Sequence, residues 1–113
     1  MNFYDKIHEL VRAFKEMEEY KSYIDLKNKI KKDEKASEDL KKFKKIQQEA
    51  QMDYINTGKM NEETQKDLEN TYSILIQKEE VRKFFEAEIK LDVILADMQK
   101  IIAEGIKEMI DFE

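Results

Sequence analysis

Backbone turns need residues that this sequence almost lacks, because its 113 residues include two glycines and no proline. Gly reaches the positive φ values of many tight turns and Pro pre-sets the φ of others, so the chain cannot supply the many corners of an all-β or α/β fold. Charged residues make up 42% of the sequence, and the good helix formers Lys and Glu are among the commonest. We therefore predict an all-α fold: four or five antiparallel helices in an elongated bundle, forming one domain over residues 1–113.

Apolar residues at intervals of three and four predict where the helices lie. Asn2 or Asp5 can cap the first helix, Asp33 the third and Asn61 the fourth. Gly58 suits the left-handed position that follows a helix C-terminus. The predicted helices cover residues 3–17, 19–32, 35–57, 62–77 and 79–110. The last is the long core helix, and the pattern leaves open whether it continues from the fourth.

The apolar stripe of the last helix alternates steps of four and three, as in a coiled coil, and further apolar residues widen it. A chain of this size buries only part of such a surface by itself, so we expect a homodimer formed through this helix and the apolar face of the first. The candidate dimer or partner interface comprises Phe3, Ile7, Leu10, Phe14, Phe84, Glu88, Leu91, Leu95, Met98 and Ile102.

Glu88 is the one charged member of that set, and it lies on the stripe between Phe84 and Leu91. A carboxylate there needs a partner or a hydrogen-bond donor if it is buried. One hypothesis makes Glu88 an acid that fixes registry or binds a partner. The simpler one, which we favour, is that Glu88 reaches solvent or pairs with a Lys or Tyr across the bundle.

Lysines are concentrated in residues 27–45, which hold nine lysines against four acids, a local charge of +5 on a chain whose net charge is −5. The candidate basic contacts are Lys31, Lys32, Lys35, Lys41, Lys42 and Lys45. Aligned lysines can follow nucleic-acid phosphates, so an RNA-associated accessory module is an alternative. The region has no arginine and the whole chain is acidic, which favours a solvated face or a dock for an acidic protein surface.

Groups that carry chemistry are few in this sequence. His8 is the only histidine and there is no cysteine, whereas zinc and di-iron sites need several such ligands. The three serines have neither elbow glycines nor a nearby histidine. We therefore expect no enzyme activity, no cofactor and no metal site. With no apolar run of membrane-spanning length and no secretory leader, we expect a cytoplasmic protein without a membrane partner.

Several short segments, in their order and spacing, resemble the YlbF/YmcA family of small all-helical bacterial proteins, and in particular its YheA-like branch. The segments are Tyr4-Asp5, residues 10–14, residues 19–21, residues 43–47, residues 57–60 and residues 81–88. The resemblance implies a non-enzymatic regulatory or scaffold protein that acts through contacts with a protein partner. Family members that act in RNA processing by ribonuclease Y are associated with iron–sulfur clusters, and this chain has no cysteine to hold one.

Overall fold

The computed structural model describes residues 2–112, which form six helices and no strand. The helices are α1 (Phe3–Glu16), α2 (Glu18–Lys31), α3 (Glu34–Thr57), α4 (Glu62–Leu75), α5 (Glu79–Gly105) and α6 (Lys107–Ile110). The predicted all-α class with a long C-terminal helix is confirmed. The contacts divide the chain into two compact units. The terminal unit comprises Met1–Ile24 and Phe85–Glu113, and the central unit comprises Asp25–Phe84.

Side chains cap the N-termini of three helices. The side-chain oxygen of Asn2 accepts a hydrogen bond from the backbone N–H two residues later, at 2.8 Å. Asp33 accepts one from the N–H of Ala36 at 3.1 Å, and Asn61 accepts one from the N–H of Glu63 at 2.9 Å. Each cap supplies a partner to an N–H group that the first helical turn leaves unpaired. The sequence predictions for these three caps are confirmed.

The turn between α3 and α4 depends on Gly58, which has φ +76° in the left-handed region. Its N–H donates to the carbonyl of Tyr54 at 2.8 Å and closes the last turn of α3. The Thr57 hydroxyl lies 2.7 Å from the carbonyl oxygen of Asp53 and 2.9 Å from that of Lys59. The left-handed position predicted for Gly58 is therefore confirmed, and the N-cap of α4 follows within a few residues.

Three other interruptions define the remaining helices. Met17 has φ −66° and ψ 144°, so a single extended residue separates α1 from α2. Residues 76–78 form a turn, so α4 and α5 are not continuous. The helix predicted to run from residue 79 to 110 ends at Gly105 instead, because Ile106 leaves helical geometry at φ −114° and ψ 27°. Gly is a weak helix former, and the N–H of Met109 then bonds to the carbonyl of Ile106 at 2.9 Å to begin α6.

The central unit has a core in which α3 packs against α4. The Phe43 and Tyr72 rings lie 5.9 Å apart between their centroids and join the two helices. Val81, at the start of α5, is completely buried. The other buried apolar residues of this unit are Ile30, Ala36, Phe43, Ile46, Ala50, Leu75 and Phe84. A short connection and a shared apolar face explain why α3 and α4 form a helical hairpin.

The terminal unit has fewer buried residues. Ala87 and Leu91, on α5, are its buried apolar side chains within the described part of the chain. The rings of Phe14 and Tyr20 meet edge to face, with centroids 5.4 Å apart, across the break between α1 and α2. Helix α1 contains no buried residue. Much of the apolar surface of this unit is therefore exposed.

Candidate interaction surfaces

Helix α1 exposes one apolar face in its N-terminal half, here called the α1 face and defined by Phe3, Ile7 and Leu10. Phe3 is 72% exposed, and Ile7 and Leu10 are each exposed as well. Their spacing of four and three places them on one side of the helix. Tyr4 and Val11, beside them, are also exposed. A helix with this pattern normally buries its apolar side against another element, so the α1 face is a candidate contact surface.

The second half of α5 and the helix that follows it expose another apolar surface, here called the C-terminal face. Its large exposed apolar side chains are Val93, Leu95, Ile101, Ile102, Ile106, Met109 and Ile110. Ile101, for example, is 70% exposed. These residues surround the helix rather than forming one narrow stripe. The C-terminal face, like the α1 face, belongs to the terminal unit.

The predicted interface residues fall into two groups in the structure. Phe84 and Leu91 are 2% and 6% exposed and therefore pack within the folded chain. Phe14, Glu88 and Met98 are half-buried. The exposed members are Phe3, Ile7, Leu10, Leu95 and Ile102. Only the exposed group is available in full to a second chain.

Glu88 lies near Tyr23 within the terminal unit. The pKa of Tyr23 is raised above its ordinary value of 10.0, first by burial and then by the negative charges of Glu88 and Asp92, with a smaller contribution from Tyr20. A carboxylate opposes ionisation of a neighbouring phenol because two negative charges would then repel each other. Glu88 therefore lies within electrostatic range of a tyrosine of the same chain, the type of neighbour named in the simpler of the two hypotheses.

The lysine-rich region contains a cavity of about 400 Å³ in the central unit, here called the lysine cavity. It is lined by Lys27, Ile30, Lys31, Ser37, Leu40, Lys41, Lys44, Lys45, Gln48 and Phe84. Of the six candidate basic contacts, Lys31, Lys41 and Lys45 line it. The other three are exposed and stand outside its lining. The structure therefore brings together half of the predicted set.

Lys27 and Lys44 also line the lysine cavity, although neither belongs to the predicted contacts. The sequence prediction likewise does not link the apolar side chains of Ile30, Leu40 and Phe84 to the lysines. A signal for most of these residues is present in the sequence. Residues 27, 30 and 31 share one face of α2, and residues 37, 40, 41, 44, 45 and 48 share one face of α3. A count of lysines does not show that lysines and apolar residues share these two helix faces.

A second cavity, of about 410 Å³, lies beside the turn between α3 and α4. Its lining is uncharged and comprises Gln47, Ala50, Gln51, Tyr54, Ile55, Met60 and Leu68. A larger hollow of about 820 Å³ is lined only by residues within 104–111. One continuous stretch of chain cannot enclose a ligand from several sides, so that hollow is not a candidate site.

Neither a metal centre nor a membrane-spanning helix is found in residues 2–112. No cluster of three or more His, Asp or Glu side chains is arranged to hold a metal ion in that range. Within the same range no helix combines the length and the apolar character needed to cross a membrane. The candidate surfaces are therefore the α1 face, the C-terminal face and the lysine cavity.

Comparison with known proteins gives consistent matches along the chain. The family model described as control of competence regulator ComK, YlbF/YmcA, matches residues 3–107. A UPF0342 protein of Symbiobacterium thermophilum is 36% identical over 103 residues, covering 91% of this chain and 92% of its own length. A UPF0342 protein of Shouchella clausii is 34% identical over 108 residues, covering 96% of this chain and 92% of its own length. A UPF0342 protein of Caldicellulosiruptor saccharolyticus is 34% identical over 105 residues, covering 93% of this chain and 88% of its own length.

Proposed function

The chain belongs to the YlbF/YmcA family, and from that membership we propose that it is a regulatory or scaffold protein that acts through protein–protein contacts and works as a homodimer. The structural observation that supports the proposal is the exposure of two apolar surfaces in the terminal unit, the α1 face and the C-terminal face. Soluble monomers rarely expose apolar patches of more than a few hundred Å², and larger ones mark contact sites.

A second copy of the chain is the occupant we propose for these surfaces. A stable interface of ordinary size buries about 800 Å² on each partner, with an apolar centre and a polar rim. Fourteen large apolar side chains of the terminal unit are exposed, which is enough to form such a centre. In a two-fold dimer the α1 face can pack against the α1 face of the second copy, or against its C-terminal face. Either arrangement can cover both apolar surfaces of each chain.

A non-catalytic function agrees with the family description, which names a regulatory process. The UPF0342 names of the relatives state no reaction. The proposed dimer surfaces include no residue of the central unit, so the lysines of that unit are not used in dimer formation. We propose that the regulatory target is a protein that contacts the central unit of the assembled dimer.

Sedimentation at micromolar concentration tests the dimer. We expect a particle of twice the 13.6 kDa mass of one chain. The double substitution Leu10→Glu and Ile102→Glu should convert it to a monomer, because each change places a charge in the buried centre of the proposed interface. The double substitution Ile55→Glu and Ile74→Glu is the matched control, since both side chains are more than half exposed in the central unit and the mass should stay unchanged. A wild-type monomer at that concentration would contradict the proposal.

Affinity capture from the native cell tests the regulatory part. A protein partner that survives nuclease treatment supports a scaffold. Loss of every partner after nuclease would instead support the RNA-associated alternative, which rests on the lysines of residues 27–45. That alternative is weaker because half of the candidate lysines line a cavity with apolar walls, and a phosphate backbone offers no apolar group to such walls.

A further inference from the structure

The lysine cavity combines positive charge with apolar side chains in one concave place. About one turn of α2 contributes Lys27 and Lys31, and about one turn of α3 contributes Lys41, Lys44 and Lys45. Among residues 2–112, no carboxylate lines the cavity. Five lysines around a concave surface produce a local positive potential, although the chain as a whole is acidic. The ligand that fits this potential is an anion.

The base of the lysine cavity is apolar. Ile30 and Phe84 are each 2% exposed and form the buried part of the lining. Leu40, which also lines the cavity, is half-buried. The methylene stems of the lysines extend this apolar surface, because a Lys side chain places four carbons below its charge. A ligand that fills the cavity therefore needs an apolar body as well as an anionic end.

The size of the cavity limits the ligand to a small molecule. Its volume of about 400 Å³ lies near the lower end of the range of about 300–1,000 Å³ that is usual for small-molecule sites. The lining residues of α3 span positions 37–48, a length of roughly 16 Å along the helix. A half-open space lined along this length of helix suits a single linear chain better than a planar ring system.

We propose that the lysine cavity binds one fatty carboxylate, with its hydrocarbon chain along the α3 side of the cavity and its carboxylate among the lysine ammonium groups. The charge and the apolar base are both needed for this assignment, since phosphate or RNA would use only the lysines. This site lies in the central unit, whereas the proposed dimer surfaces lie in the terminal unit. The two proposals can therefore fail independently.

Calorimetric titration of the 113-residue chain with dodecanoate, below its micelle concentration, tests the site. We expect saturable binding of one dodecanoate per chain that weakens as salt is added. Affinity should fall roughly fourfold for each methylene removed in the series dodecanoate, decanoate and octanoate, because each buried methylene adds a similar increment. Absence of saturable binding, or equal affinity along the series, would overturn the proposal.

Charge-reversal variants provide the matched control. The double substitution Lys41→Glu and Lys45→Glu should weaken dodecanoate binding by about tenfold or more, because it removes two of the cationic partners. Lys35→Glu with Lys42→Glu changes the net charge equally but lies outside the cavity, so its affinity should stay within about twofold of the wild type. Circular dichroism of each variant checks that it folds. Equal weakening in both doubles would show that only the overall charge matters and would overturn the site.

Two further probes separate the fatty carboxylate from other amphiphiles. Dodecyltrimethylammonium has the same tail with a positive head, and when it is titrated alone it should not bind the protein saturably. Saturable binding of this cation with an affinity similar to that of dodecanoate would show a purely apolar site and contradict the proposal. Vesicles containing phosphatidylglycerol distinguish a free ligand from a lipid surface: binding to vesicles without binding of monomeric dodecanoate would also overturn it.

Discussion

Asp33 and Lys78 are separated by 45 positions in the sequence, and the Lys78 ammonium donates a hydrogen bond to the Asp33 carboxylate. The other carboxylate oxygen caps α3 by accepting a hydrogen bond from the N–H of Ala36. One side chain therefore begins a helix and ties it to the turn between α4 and α5. All of these groups lie in the central unit.

This relationship predicts a specific acid sensitivity. The hydrogen bond from Lys78, followed by that from Ala36, holds the pKa of Asp33 below its ordinary value of 3.8. A lowered pKa means that the stabilisation is present above about pH 4 and is lost as the pH falls through the folded-state pKa. Asp33→Asn keeps a capping side chain but removes the charge, so the variant should be less stable than the wild type at pH 7 and approach it toward pH 3.

Thermal unfolding followed by circular dichroism from pH 7 to pH 3 measures this difference. Asp39→Asn is the control, because it removes an equal charge from the same helix and leaves the pair of Asp33 and Lys78 in place. The Asp33 carboxylate is more than one-third exposed, so added salt should reduce its effect. A constant gap between Asp33→Asn and the wild type over this pH range would show that the ion pair does not stabilise the fold.

The two glycines predict opposite effects of the same substitution. Gly58→Ala should destabilise the protein by about 1–2 kcal/mol, because Ala strains the φ of +76° even though no atom obstructs its Cβ. Gly105→Ala meets no obstruction either, lies at the end of α5, and should stabilise the helix by up to about 1 kcal/mol. Urea unfolding of both variants measures the two changes. Equal signs would contradict the left-handed assignment at Gly58.

Replacing Phe84 measures how much α5 contributes to the stability of the core of the central unit. Its side chain is buried, so Phe84→Ala should cost about 3–5 kcal/mol in the free energy of unfolding through lost burial and a new cavity. Ile74→Ala is the control because Ile74 is more than half exposed on α4, and its effect should stay within about 0.5 kcal/mol. If chemical denaturation gives the two variants similar losses, Phe84 does not contribute to a cooperative core.

Tyr23 predicts an alkaline transition in the terminal unit. Its raised pKa means that the folded chain retains the phenol proton to a higher pH than the unfolded chain does. The associated stabilisation is complete below about pH 10 and is lost as the pH rises through the folded-state pKa. Ultraviolet titration should detect one late-ionising tyrosine in the folded protein, and Tyr23→Phe should remove it. Tyr54→Phe, at an exposed position in the central unit, should leave the late step in place.

Local signals in the sequence were sufficient for most helix boundaries. Asn61 and Gly58 act on backbone groups within a few residues, so their residue types alone predicted the turn between α3 and α4. The end of α5 at Gly105 was missed because the apolar pattern continues through it to Ile110. The spacing of apolar residues shows which face of a helix is apolar. It does not show where the backbone leaves helical geometry if the apolar spacing continues past that point.

The candidate surfaces could be predicted only in part, for a different physical reason. Periodicity placed Phe84 and Ile102 on the same apolar stripe of the long helix. It could not show that Phe84 is covered by the chain itself while Ile102 is exposed, because burial depends on which other elements fold against each position. Likewise, the lysine count predicted a basic region but not the cavity. The cavity forms from α2, α3 and Phe84, which meet only in the folded central unit.

Helix α1 has little to hold it in the helical state by itself. It has 14 residues and none of them is buried. Isolated helices of about 12–15 residues are marginal in water, because nucleation costs more than so few backbone hydrogen bonds return. The helical state of α1 must therefore depend on whatever covers its apolar face. If the proposed dimer covers this face, dilution that separates the two copies should melt this segment, and the fractional helicity of the protein would then measure its association.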